Sequence, residues 1–303
     1  MKILSVDGGG RGFRKAVVEN ETITMLEESK IITSSQGLID FVARDMFSDV
    51  EAISFAVAGD IEHHQRVVIS PNCRFLNGLD LAALTRVATD RQVLVCNDME
   101  AAATGMSVLF PDLKHFMGIT WSSGIGMRIV MDGKVIGESE AGHMQFDPAE
   151  NAPICGCGRR GCADVVLGGI RLQETVRNAA NLHGDKIPER YKWPSVFLDD
   201  CYNAGLPWAV EISDKLVYDM ARFLANLQSV LRFPVVVWKG GVAKGILLNQ
   251  NRDRDIILQM RGMLMNPAWA DDLRFYHSSL AHKTKDADSL IGAAKILRQI
   301  YGM

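Results

Sequence analysis

Cysteine is scarce: six in 303 residues, with Cys73, Cys96 and Cys201 scattered singly. That speaks against a disulfide framework and predicts reduced, partly buried thiols in a cytoplasmic protein. No apolar run reaches the ~20 residues of a membrane span. The N-terminus enters a strand pattern at once, so neither a leader nor a membrane partner is expected. A surplus of one charge is missing as well. Lys and Arg total 33 against 36 Asp and Glu, a net charge of −3, with no basic field of the kind that binds nucleic acid. No Gly-Lys-Ser/Thr follows a glycine turn, so the Walker-type nucleotide loop is excluded. No internal repeat or low-complexity run stands out.

What the chain does have is a dense patch of metal-binding chemistry. His143 is followed twelve residues later by Cys155, Cys157 and Cys162, three cysteines within eight residues. One nitrogen and three sulfurs are the donors of a closed tetrahedral zinc site. Four protein ligands leave no open position for chemistry, so the ion's expected role is structural. Gly156, Gly158 and Gly161 let a short loop fold sharply enough to converge three thiolates. Arg159 and Arg160 add positive charge that favours the ionised thiol. The alternatives are a disulfide, for which Cys155 and Cys157 are uncomfortably close in sequence, and plain buried cysteines.

The rest alternates strand and helix patterns, which argues for α/β layers with short connections. At 303 residues and 48% apolar content, there is material for two domains. Strands are expected at 2–6, 15–19, 22–27, 52–58, 67–70, 92–96, 117–121, 127–130, 134–137, 234–238 and 273–277. The spacing predicts helices at 37–47, 80–89, 99–109, 165–182, 208–232, 286–301 and, for the most part, 244–265. Residues 184–203 read as a polar connection. Asp7-Gly8-Gly9-Gly10 is a tight turn between the first two strands; its N–H groups can face a phosphate, or it is a hairpin and nothing more. Ser122-Ser123-Gly124-Ile125-Gly126 is a second such turn about a hundred residues on. Two strand–glycine-turn–strand hairpins favour a duplicated arrangement over a plain doubly wound fold. Asn97-Asp98 sits where a strand ends and a helix opens, so Asp98 is either a base facing a cleft or a helix N-cap.

Glu140-x-Gly-His143, then Cys155-x-Cys157-Gly-x-x-Gly-Cys162 and an acid two residues later, resemble the signature of the ROK family of bacterial sugar kinases and related repressors. Further matches follow the family's order through nearly the whole chain. The resemblance implies a two-domain actin-like ATPase fold, ribonuclease H-like and duplicated. Its interdomain cleft would lie between residues 1–112, completed by 286–303, and residues 113–285. It implies ATP-dependent phosphorylation of a hexose or N-acetylhexosamine hydroxyl, with ATP and Mg²⁺ in the reaction and Zn²⁺ as a structural ion. Asn97-Asp98 followed by Glu-Ala-Ala-Ala-x-Gly resembles the catalytic element, which makes Asp98 the general base and Asn97 a sugar ligand. Ser70-Pro71-Asn72 resembles the sugar-side loop and implies that Gly59 and Asn72 lie near the sugar. On the residues alone, a polar turn forced by proline is the preferred reading there. Glu140, His143 and Asp164 complete the implied sugar set.

Asp7, Gly9 and Gly10 match the first phosphate turn, with Arg11 where the family has Thr. Ser123 and Gly124 match the second, with Ser122, Met127 and Arg128 where the family has glycines, so a less open loop is expected. Gly240 and Gly241 match the adenosine-side turn, with Lys239 in place of its first glycine. Asp164 stands where the family usually has Glu, and the shorter side chain cannot reach the same place without a backbone shift. The alternative function is a catalytically weak or inactive ROK-type sugar-binding or sensing protein without a DNA-binding domain. The departures at Arg11, Ser122, Met127, Arg128 and Lys239 favour it, and the intact Asn97-Asp98 opposes it. With Asp7 the seventh residue, no room is expected for the N-terminal DNA-binding module of the family's repressors. The family's kinases often form homodimers, which is the assembly the resemblance implies.

Overall fold

The computed structural model describes residues 1–9, 12–28, 31–44, 49–71, 73–282, 284 and 287–302. The chain runs β1 (Lys2–Gly9), β2 (Gly12–Glu19), β3 (Thr22–Glu28), α1 (Ser35–Ala43), β4 (Ala52–Val57), β5 (Asp60–Glu62), β6 (Arg66–Ile69), α2 (Leu81–Thr89), β7 (Gln92–Asn97) and α3 (Asp98–Leu109). It continues through β8 (Phe116–Trp121), β9 (Ile125–Met131), β10 (Lys134–Ile136), α4 (Ala163–Leu167), α5 (Gly169–Leu182), α6 (Pro194–Asn203), α7 (Pro207–Leu231) and β11 (Val235–Lys239). The last elements are α8 (Gly241–Ala243), α9 (Asp253–Arg261), α10 (Ala268–Asp271), β12 (Arg274–His277), α11 (Ser278–Ala281) and α12 (Ala287–Tyr301).

Two five-stranded sheets, ordered β3-β2-β1-β4-β7 and β10-β9-β8-β11-β12, repeat one topology. In the first, β1, β2 and β3 pair antiparallel, and β4 and β7 add in parallel. In the second, β9 and β10 form the antiparallel hairpin, and β11 and β12 add in parallel. This is the duplication that the two glycine-rich hairpins led one to expect, although Asp7, Gly8 and Gly9, read as part of the first turn, continue β1 and pair with Arg14, Phe13 and Gly12. The chain forms two compact units. Unit 1 comprises Met1–Lys114, Arg128–Gly137 and Ser278–Met303; unit 2 comprises His115–Met127 and Glu138–His277.

In unit 1 the central strand β4 is buried along its whole length, as a parallel strand covered on both faces must be. Phe55, Val57, Val93 and Val95 pack under Leu38, Val42 and Leu81 of α1 and α2. Ile3, Ala56 and Leu94 belong to a second core with Ala101 of α3 and Ile291, Ala294 and Leu297 of α12. The two helices α3 and α12 cross at van der Waals range through glycines. A Cβ at Gly292 would fall 1.8 Å from the Ala101 carbonyl oxygen, and one at Gly105 would fall 1.8 Å from that of Asp288.

Three sequence expectations change. The helix read at 165–182 is two helices, α4 and α5, because Gly168 is extended (φ −67°, ψ 149°). Residues 194–203, read as part of a connection, form α6, opened by Pro194 at its first turn and buried through Leu198 and Cys201. The helix read at 244–265 is a π-helical turn, Lys244–Asn249, followed by α9. Residues 45–47 and 286 of two predicted helices lie outside the described residues. Among the described residues, no helix is long and apolar enough to cross a membrane.

Candidate active site and zinc centre

In unit 1 the chemistry gathers where parallel strands end. Asp7 of β1 lies level with Ala56 of β4, and the neighbouring Val57 lies level with Asn97 of β7. Carboxyl ends of parallel strands are where open α/β sheets bind ligands, because loops diverge there and leave a crevice. The Arg14 Nε sits 3.6 Å from the Asp7 carboxylate, on the opposing strand. The cap of α3 is Asn97, whose Oδ1 accepts from the Met99 and Glu100 N–H groups at 2.9 and 3.1 Å. Asp98 is therefore the first helical residue and not the cap, although its Oδ1 also accepts from Met99 N–H at 2.9 Å. The Asn97 Nδ2 donates to the Gly59 carbonyl at 2.9 Å, which ties the strand end to the loop after β4. The Arg128 Nη2 donates to Asn97 Oδ1 at 3.0 Å.

Unit 2 repeats the arrangement. The turn Ser122–Gly124 follows β8, and Gly240-Gly241 follows β11, its parallel neighbour. Gly240 holds φ +109°, and a Cβ there would meet the Trp121 carbonyl oxygen at 2.4 Å, so only glycine brings these two turns together. The N–H groups of Gly169 and Ile170, at the start of α5, donate to the carbonyls of Ser122 and Ser123 at 2.7 and 3.1 Å. That packing is the physical reason for the break at Gly168. The Asp164 carboxylate accepts from Ile125 N–H at 2.8 Å and fills the space a side chain at Gly124 would need. The shorter acid is thus anchored on the turn between β8 and β9. Met127 and Arg128, expected to narrow this turn, are residues of β9, only 2% and 4% exposed. The strand begins at Ile125, so their bulk is in the sheet and not in the loop.

The cysteine cluster converges as its spacing predicted. Among the described residues, one atom each of His143, Cys155, Cys157 and Cys162 lies within 4.8 Å of the others. A tetrahedral zinc with sulfur at about 2.3 Å and nitrogen at about 2.0–2.1 Å sets sulfurs roughly 3.8 Å apart and nitrogen about 3.5–3.6 Å from sulfur. The Cys157 and Cys162 sulfurs are 3.7 Å apart, and His143 Nδ1 is 3.5 Å from Cys155 Sγ. The donor set and its dimensions fit zinc, and Nδ1 is the His143 nitrogen beside the Cys155 sulfur. Burial pushes the Cys155 thiol up to about 12. For Cys157, burial also acts upward, but hydrogen bonds from Arg159 and the neighbouring thiols outweigh it and bring it to about 6. Arg159 also donates to the His143 carbonyl at 2.7 Å. Arg160, expected to share this work, instead donates to the Ala152 carbonyl at 3.0 Å.

The sequence profile of the ROK family matches residues 3–300. The chain belongs to the ROK family. An N-acetylmannosamine kinase of Vibrio cholerae is 27% identical over 266 residues, 83% of this chain and 88% of the relative. A glucokinase of Thermotoga maritima is 23% identical over 327 aligned positions, covering 100% of this chain and 99% of its own. The ROK family glucokinase of Streptomyces griseus, solved with glucose and AMPPNP, superposes with a TM-score of 0.81 at 23% identity, over 99% of this chain and 100% of that one. The fold is accordingly the actin-like ATPase fold of ROK sugar kinases.

Against that family pattern, unit 1 brings Gly59, Asn97 and Asp98 together, with Asp7 two strands away. Unit 2 brings together Ser123, Gly124, Gly240, Gly241, Asp164 and the cluster of His143, Cys155, Cys157 and Cys162. Glu140 directly precedes the 3-10 turn Ala141–His143, and its carbonyl accepts from His143 N–H at 2.8 Å. Gly10, Arg11 and Asn72 lie outside the described residues. The contact from Arg128 to Asn97 was not foreseen. Its only sequence signal was an arginine at a position where the family has glycine.

Proposed function

We propose that this ROK protein transfers the γ-phosphoryl group of ATP to a hydroxyl of a hexose or N-acetylhexosamine. The observation that carries the reading is the junction of β7 and α3. Asn97 supplies the cap, and the Asp98 carboxylate stands beside it in the first turn of the helix, at the end of a parallel strand. In this reading Asp98 accepts the proton of the attacking hydroxyl as its oxygen bonds to phosphorus and ADP departs. Asn97 retains a second Nδ2 proton for a sugar oxygen, since Gly59 takes only one. His143, committed through Nδ1 to the cysteine cluster, presents Nε2 to a hydroxyl, and Glu140 and Asp164 accept from others. Asp164 retains lone pairs for this after its bond from Ile125.

Bound zinc supplies rigidity to the loop that bears His143, because metal-binding energy at such sites is folding energy. Mg²⁺ supplies charge neutralisation on the phosphates, and Asp7 offers the hard oxygen donor suited to it. Ser123, Gly124, Gly240 and Gly241 are assigned to the nucleotide. The known relatives include an N-acetylmannosamine kinase and a glucokinase, which supports the two sugar classes named. The absence of a long apolar helix among the described residues is in keeping with a cytoplasmic setting.

ADP release measured across a panel of hexoses and N-acetylhexosamines tests the reading. A sugar-dependent rate well above the ATPase background is expected with at least one sugar. Sugar binding without ADP release would instead support the sensing alternative.

A further inference from the structure

Arg128 is only 4% exposed, yet it carries a charge that water would solvate far better than protein. A buried guanidinium is costly unless its hydrogen bonds are made, and one of them ends on Asn97 Oδ1 at 3.0 Å. The Asn97 oxygen already accepts from Met99 and Glu100 N–H at 2.9 and 3.1 Å, so helix capping alone would satisfy it. The third donor is charged and comes from β9, at a position 31 residues from Asn97. The same amide is held on its nitrogen side by the Gly59 carbonyl at 2.9 Å.

A primary amide is planar, so fixing its oxygen and one N–H fixes the direction of the other N–H. That remaining N–H is on the residue next to Asp98. A guanidinium on the oxygen also draws electron density from the amide and makes the remaining N–H a stronger donor. Resting on the sugar-kinase reading above, we infer that Arg128 is a positioning residue. It orients and polarises the Asn97 amide so that its remaining N–H holds the sugar oxygen next to the Asp98 base. The position is thus assigned to sugar affinity and not to nucleotide affinity, acting through Asn97.

The test is a double-mutant cycle on the full chain with Arg128→Met, Asn97→Ala and the pair, plus Arg128→Lys as the conservative variant. Arg128→Met keeps much of the aliphatic stem. It is expected to lower kcat/KM for the sugar by about 10- to 100-fold, the span of one charge-assisted hydrogen bond, with KM for ATP within about twofold of wild type. Arg128→Lys should recover part of the loss, and the pair should be no worse than Asn97→Ala alone. Additive losses, or a folded Arg128→Met with wild-type sugar kinetics, would overturn the inference, as would a lowered melting temperature without a sugar-specific defect. Sugar-induced melting shifts on the same proteins, with the hexose and N-acetylhexosamine panel, separate this inference from the kinase reading. If wild type releases no ADP but is stabilised by a sugar, the kinase reading falls. The inference then stands when Arg128→Met loses that shift as Asn97→Ala does, and falls when it keeps it. Wild-type protein that neither turns over nor is stabilised by any of the sugars removes both.

Discussion

Replacing Asp98 by Asn separates its proposed role as a base from a role in holding the helix. The substitution keeps the shape and one acceptor oxygen, so the bond from Met99 N–H at 2.9 Å can persist. The cap itself is on Asn97, whose bonds from Met99 and Glu100 are untouched. The helix itself loses one negative charge from its first turn, a contribution of about 0.3–1 kcal/mol. What is lost chemically is the proton acceptor, a factor of about 10²–10⁴ in rate, or about 3–5 kcal/mol of barrier. The stability change is therefore several times smaller than the barrier change, and the two are measured separately. Steady-state ADP release at saturating sugar should fall at least a hundredfold or so, while the thermal melt moves little. KM for the sugar should change less than kcat, because proton acceptance matters mainly in the transition state. Asn97→Ala is the contrasting control: it removes the cap and should lower stability by about 0.5–2 kcal/mol. An Asp98→Asn protein with near wild-type turnover and an unchanged melt would remove Asp98 from the mechanism.

Metal analysis of protein purified without added zinc should find close to one zinc per chain, and a strong chelator should lower the melting temperature. Cooperative folding at zero metal content would refute the zinc assignment. Cys157→Ser should weaken metal retention and sugar binding together, read by metal content and by sugar-induced melting shift. Gly292→Val would force side-chain atoms into the 1.8 Å approach to the Ala101 carbonyl. It should cost at least about 1–3 kcal/mol in denaturant titration, the usual range for overpacking; a silent substitution would show that α3 and α12 do not cross as described.

Some features were legible in the sequence because they are local. The four candidate zinc ligands lie between 143 and 162, so the donor set could be read from one short stretch of chain. The Asn97-Asp98 junction could be read because a strand period gives way to a helix period at that point. The repeated glycine turns signalled the duplicated sheet, since each occurs between two strands that neighbour one another in sequence. Which of two adjacent residues caps a helix is a matter of backbone angles, and only the structure assigned it to Asn97.

The remaining features depend on approaches across the fold. The helix break at Gly168 arises because the carbonyls of Ser122 and Ser123 claim the first N–H groups of α5, a contact that no periodicity near 168 reports. The Asp164 carboxylate is fixed by Ile125, 39 residues away, and Arg128 finds Asn97 at a separation of 31. Hydrophobic period and residue type mark Arg128 as a charge in a strand, which ordinarily faces water. Only the tertiary structure shows it almost wholly enclosed, with a guanidinium N–H on the Asn97 oxygen, a partner that no local period could name.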